Sequence, residues 1–144
     1  MWTYSYEYSY DNWILERKNQ TPCRRAQSMA IHMRYIIDID GTICHERYMP
    51  DGIKKDYENH VPIPERIAKV NALYDAGHTI KYMTARGITS GVDYEPLTRR
   101  QLMAWGAKYH ELSVGKKEHY DIWIDDKAVN SESYFIDCKG ETYE

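Results

Sequence analysis

The chain has 144 residues and a formal net charge of −3. That length suits one domain with a real buried core, and the lack of a basic excess argues against a dedicated nucleic-acid binder. No apolar run approaches the roughly 20 residues needed to span a bilayer, and the N-terminus lacks the apolar core of a secretory signal, so no membrane partner is expected. The three cysteines, Cys23, Cys44 and Cys138, are widely spaced and in no Cys-x-x-Cys arrangement. They read as reduced thiols of a cytoplasmic protein, with neither a disulfide framework nor a zinc site.

Residues 1–32 differ from the rest. Tyr4, Tyr6, Tyr8 and Tyr10 alternate with polar residues, which fits a half-buried strand or a tyrosine-serine low-complexity tail. A start of translation at Met29 or Met33 is a third reading. A tail or start-site artefact is favoured, because the core predicted from residue 33 onward closes without this stretch.

From Met33 the pattern is orderly. Residues 34–39 form a first strand rich in β-branched residues and ending on Asp38-Ile39-Asp40-Gly41-Thr42. Residues 43–62 are polar and turn-rich, with Pro50-Asp51-Gly52 at the tip, as in a flap or short hairpin. Pro64 opens a helix whose apolar residues Ile67, Val70, Leu73 and Tyr74 recur at helical spacing until Gly77. Residues 79–83 form a second strand ending at Thr84-Ala85-Arg86-Gly87. A helix from Glu95-Pro96 runs through Leu97, Leu102, Met103 and Trp105 to Gly106. Residues 109–112 read as a third strand leading to Gly115-Lys116-Lys117, and residues 121–124 as a fourth ending on Asp125-Asp126. Residues 133–137 add a last strand. Strands alternating with helices predict an α/β fold with a mostly parallel sheet covered on both faces, with ligands outside the carboxyl ends of the strands.

The polar signals fall at those ends. Successive strand side chains point to opposite faces, so Asp38 and Asp40 share one and converge. Two such carboxylates are costly together unless a cation or a shared proton offsets their repulsion, and a hard divalent ion such as Mg²⁺ is the obvious candidate. Asp125, with Asp126, supplies further oxygen ligands; the Thr84 hydroxyl, nearby backbone N–H groups and the Lys116 ammonium suit phosphate oxygens. This is equipment for phosphoryl transfer, with a carboxylate as nucleophile. Arg86 is equally suited to clamp a second anionic group of the substrate or to pair with a surface acid. Cys44 reads as an incidental thiol, and Trp105 and Trp123 as core residues.

Asp38-Ile39-Asp40-Gly41-Thr42, Thr84, Lys116 and Asp125-Asp126 together resemble the four signature motifs of the haloacid dehalogenase-like hydrolase superfamily. The resemblance covers about residues 33–130 and implies a three-layer Rossmann-like sheet with helices on both faces. It implies Asp38 as the nucleophile and Asp40 as general acid to the leaving group and then base on the attacking water. Thr84 and Lys116 take the phosphate-holding roles, with Lys117 as the alternative lysine, and Gly41 and Thr42 lie against the substrate. Asp125 is implied as the Mg²⁺ ligand beside the Asp38 carboxylate and the Asp40 backbone carbonyl, with Asp126 helping. Thr84-Ala85-Arg86-Gly87, Leu97-Thr98, Gln101-Leu102, Trp105-Gly106 and residues 120–128 are further similar to small phosphatases linked to capsular-polysaccharide biosynthesis.

The intervals 43–63 and 87–115 are too short for the cap domain of larger members. A cap-less enzyme has an open site, which a neighbouring subunit can roof, so a homo-oligomer is expected. The leading expectation is a Mg²⁺-dependent phosphatase of a small phosphorylated metabolite, a sugar or polyol phosphate. A nucleotide or polynucleotide-end phosphatase is the alternative; a fold relative kept as a binding module without turnover ranks last.

Overall fold

The computed structural model describes residues 31–138. The readings made for residues 1–30, Cys23 included, lie outside the described residues. The main sheet holds three parallel strands, β1 (Arg34–Asp38), β4 (Thr79–Thr84) and β5 (Glu111–Val114), in the order β1-β4-β5. A small antiparallel pair, β2 (Cys44–His45) and β3 (Val61–Pro62), follows β1. The helices are α1 (Pro64–Asp75), α2 (Glu95–Ala104) and the short α3 (Ser131–Tyr134), with 3₁₀ turns at Tyr57–Asn59 and Ile136–Cys138.

Both long helices carry a proline in their first turn, Pro64 at the first position and Pro96 at the second, where its missing N–H is no loss. Both end on the same device. Gly77 N–H donates to Tyr74 O at 3.0 Å and His78 N–H to Leu73 O at 3.1 Å; Gly106 and Ala107 do the same to Met103 and Leu102. These are Schellman closures around a left-handed glycine, and they turn the chain straight into β4 and toward β5.

The sheet runs from β1 through β4 to β5 in one direction. Right-handed crossovers then place α1 and α2 on one face. Core composition agrees: Ile37, Ile80 and Tyr82, aligned by the register Tyr35↔Ile80 and Ile37↔Tyr82, pack with Ile67 and Val70 of α1 and Leu102 of α2. The opposite face carries Arg34, Lys81 and Glu111, paired at 2.7 Å and 3.8 Å, beside Ile36, which is 60% exposed. The helical cover expected on both faces is therefore seen, among the described residues, on one.

The missing cover follows from the last quarter of the chain. Residues 121–124 form no strand: Ile122 is 79% and Ile124 93% exposed, and Trp123, expected in the core, is also exposed. Residues 133–137 are helical turns, not a strand, and Phe135 enters the core from them. A short β-branched run makes a strand only where a neighbour completes its ladder, and no such pairing forms here. Among the described residues no strand is added outside β1, and none of their crossovers returns to the second face.

Residues 43–63 do form a hairpin. Met49 N–H donates to Lys54 O at 2.8 Å, and Asp51 Oδ1 accepts from Ile53 and Lys54 N–H at 2.9 and 3.0 Å. Glu46 is taken up within the hairpin by Lys55 and by the Tyr48 hydroxyl. No helix among the described residues is long and apolar enough to cross a membrane.

Candidate active site

β1 stops at Asp38, and the chain folds back at once. Thr42 and Ile43 N–H both donate to Ile39 O, at 3.1 and 3.0 Å, and Gly41 N–H donates to Cys44 O at 3.0 Å. Gly41 sits at φ +76°, a region that strains residues with a Cβ, so the Asp-Gly pair serves the turn. Burial still alternates through Ile37, Asp38, Ile39 and Asp40, with the isoleucines buried and both aspartates only partly so. The two carboxylates acquire separate partners.

The Asp38 side chain, 34% exposed, accepts from Lys117 Nζ at 2.8 Å and from the Thr42 hydroxyl at 3.1 Å. The Asp40 side chain is 11% exposed. Its Oδ1 accepts from Arg86 Nη2 at 2.7 Å and His60 Nδ1 at 2.9 Å, and its Oδ2 from the Thr84 hydroxyl at 2.7 Å. Arg86 Nε lies 3.1 Å from both oxygens. A carboxylate only accepts, so His60 carries its proton on Nδ1.

Burial alone would raise the Asp40 carboxyl. The bonds from His60 and Arg86, the guanidinium charge and the Thr84 hydroxyl outweigh it and hold the group far below its usual 3.8. The same negative charge acts on Cys44, whose buried thiol is pushed up to about 12, chiefly by desolvation and then by Asp40. Cys44 is thus a neutral thiol with no nucleophilic part. Burial would lower Lys117, but Asp38 raises it above its usual 10.5, so it remains an ammonium.

Several sequence expectations land differently. The lysine beside Asp38 is Lys117; Lys116 is exposed. The left-handed turn at Gly115, whose N–H donates to Thr84 O at 3.0 Å, brings the second of the two lysines inward. Arg86 is 1% exposed and is no substrate clamp, since its donors are taken by Asp40, Thr98 Oγ1 and Gln101 Oε1. The Gly41 and Thr42 N–H groups are engaged within their own turn, and the Thr84 hydroxyl is given to Asp40. Asp125 and Asp126 are exposed on the irregular segment 120–130, where Asp125 Oδ1 accepts from Lys127 N–H at 2.6 Å.

Sequence reasoning missed His60 and Arg66, and named Thr98 and Gln101 only within the capsular-phosphatase resemblance, without a role. Arg66 in α1 donates to Thr42 O at 2.9 Å and pairs with Glu132 at 2.6 Å, tying the turn after Asp40 to α1 and α3. Thr98, Gln101 and Leu102 make the buried stripe of α2, while Met103, expected there, is 79% exposed. Polar residues at i and i+3 beside one leucine were the available signal.

The expected Mg²⁺ donors do not form a set as arranged. Asp38 and Asp125 have separate partners, and the Asp40 side-chain oxygens, as distinct from the backbone carbonyl that the resemblance implies, are filled by nitrogen and hydroxyl donors. The three-residue donor group present among the described residues is Asp40, Cys44 and His60. It is a hydrogen-bonded cluster whose carboxylate already holds a guanidinium, and that positive charge opposes a second cation.

No protein-family model and no curated protein matches the chain. Among solved structures, the crystal structure of an MCSG target from Vibrio cholerae is similar, with a TM-score of 0.59 and 24% identity over 76% of this chain and 89% of that one. At that identity the likeness shows the α/β fold alone.

Proposed function

We propose that this chain is a phosphomonoester hydrolase of the haloacid dehalogenase-like type, cap-less and Rossmann-like, acting on a small sugar or polyol phosphate. The observation that supports it most is Asp38. It stands at the carboxyl end of β1, one-third exposed, aimed by a threonine hydroxyl and neutralised by the Lys117 ammonium at 2.8 Å. Parallel α/β sheets place their ligands at this edge.

In this reading an Asp38 oxygen attacks phosphorus, the ester P–O bond breaks, and the leaving oxygen takes a proton. Water then attacks the aspartyl-phosphate, the Asp38–phosphate bond breaks, and inorganic phosphate leaves with the carboxylate restored. Lys117 offsets charge on the phosphoryl oxygens. The resemblance gives the proton traffic to Asp40. As held, Asp40 is ionised and carries no proton to give, so the leaving oxygen takes its proton from a solvent water at the open site, and Asp40 accepts from the attacking water once a bond from Arg86, His60 or Thr84 opens. Mg²⁺ belongs to the proposal as a requirement to be tested, with Asp38 and Asp125 as the donors to replace.

The test is hydrolysis of a panel of sugar, polyol and nucleotide monoesters and phosphorylated DNA ends, with Mg²⁺ and with EDTA. Turnover that is lost in Asp38→Asn supports the reading, and the preferred ester decides the substrate class. A folded protein that turns over no ester refutes it and favours a binding module.

A further inference from the structure

We infer that Arg86, together with His60, is a positioning residue that fixes the Asp40 carboxylate in one orientation and ties it to α2 and to the base of the hairpin. The inference rests on the phosphatase reading for its consequence in catalysis, and on the following geometry for itself.

Arg86 has no surface left for a ligand. Nε and Nη2 hold Asp40, Nη1 holds Thr98 Oγ1 at 3.2 Å and Gln101 Oε1 at 2.5 Å, and the Tyr57 ring lies 5.0 Å from Cζ. Its partners are themselves oriented. The Thr98 hydroxyl donates to Tyr94 O at 2.7 Å, which leaves it to accept from Arg86. The Gln101 amide donates to Tyr57 O at 2.6 Å, which turns its oxygen toward the guanidinium. The chain of bonds therefore runs from Tyr57, at the foot of the hairpin, through α2 to the carboxylate after β1.

A buried ion pair is a poor source of stability, because desolvation offsets most of its attraction. His60 shows the same economy. Its Nε2 is buried without a partner among the described residues, while Nδ1 serves Asp40. A histidine kept only for packing would satisfy both nitrogens or be replaced by an apolar ring. Both residues make sense through what they do to Asp40.

The experiment compares Arg86→Ala, Arg86→Lys, His60→Ala and His60→Asn with the wild type, using the best ester of the panel and the NMR signal of the Arg86 Nε proton. Misplacing a reacting group by about an ångström costs on the order of 100-fold, so Arg86→Ala should lose about that much in kcat with KM changed by less than about threefold. Arg86→Lys and His60→Asn each keep N–H donors that can reach Asp40 and should recover part of the loss. If Arg86→Ala fails to fold, the paired Thr98→Val and Gln101→Leu changes remove the outer holds and should lower kcat about tenfold, short of losing a catalytic group outright. A KM that rises while kcat holds would mean that Arg86 grips substrate, and would overturn the inference. The Nε proton should exchange slowly in the wild type and quickly in Asp40→Ala. Surface-like exchange in the wild type overturns the inference too. Absence of turnover on every ester refutes the phosphatase reading, and the NMR comparison still decides the positioning.

Discussion

Asp38 keeps a third of its side chain in solvent and meets one ammonium, whereas Asp40, two residues on, is enclosed by a guanidinium, an imidazole and a hydroxyl. The difference comes from the neighbours that reach each carboxylate: Lys117 and Thr42 for Asp38, and Arg86, His60 and Thr84 for Asp40. It separates a group that can attack from one that is held. Asp38→Asn should abolish turnover. Removing a single preorganised charge or donor typically lowers kcat by about 10²–10³, and Lys117→Ala should fall in that range. Lys116→Ala should stay within about twofold, since an exposed charge has little to lose. Steady-state kinetics on the three variants checks this, and equal losses at 116 and 117 would contradict the placement of Lys117. The Asp-x-Asp-Gly-Thr run was legible because its residue types are chemically unusual at a strand end. Arg86, His60 and Gln101 were not, because what they do depends on partners 15 to 46 residues away.

At the scale of elements, the glycines that close α1 and α2 were readable from sequence, and so was the hairpin, since each is a local matter of φ and a few hydrogen bonds. Gly87 is a sharper case. Its φ is +86°, and a Cβ would lie 2.1 Å from Val92 O. A left-handed residue other than glycine costs about 1–3 kcal/mol, and the backbone overlap adds to it. Gly87→Ala should therefore destabilise by more than Gly77→Ala, where the added Cβ meets nothing within 4 Å, as denaturant melts would show. The strand expected at 121–124 is the clearest failure, because its residues have strand propensity and no partner strand. Exposed substitutions usually change stability by less than about 0.5 kcal/mol, so Ile122→Lys and Ile124→Lys should be near neutral. Among the described residues, chymotrypsin should nick first between Tyr120 and Trp123. A loss above about 2 kcal/mol would show that the segment is buried in solution.

For the whole molecule, two buried groups set the pH limits of stability in opposite directions. Asp40 titrates lower in the folded chain, so its contribution is complete above its usual 3.8 and is lost as pH falls below it. Cys44 titrates higher, so its contribution is complete below its usual 9.0 and is lost as pH climbs from there toward about 12. Circular dichroism melts across pH should show both limbs. Asp40→Asn should flatten the acid limb and Cys44→Ala the alkaline one, and an unchanged alkaline limb in Cys44→Ala would contradict the burial of that thiol.

By itself the sequence determined what is local: β-branched runs at β1 and β4, proline starts and glycine ends of two helices, the hairpin turn, and an acidic pair at a strand end. Which lysine meets Asp38, that Arg86 faces Asp40 and not a ligand, and that helices among the described residues cover one face of the sheet are matters of tertiary structure. Those outcomes depend on contacts between distant segments, where the turn at Gly115 brings one lysine and not its neighbour to Asp38 and a run at 121–124 finds no partner strand among the described residues. Local propensity fixes the elements; the pairing between them fixes the charges each side chain meets.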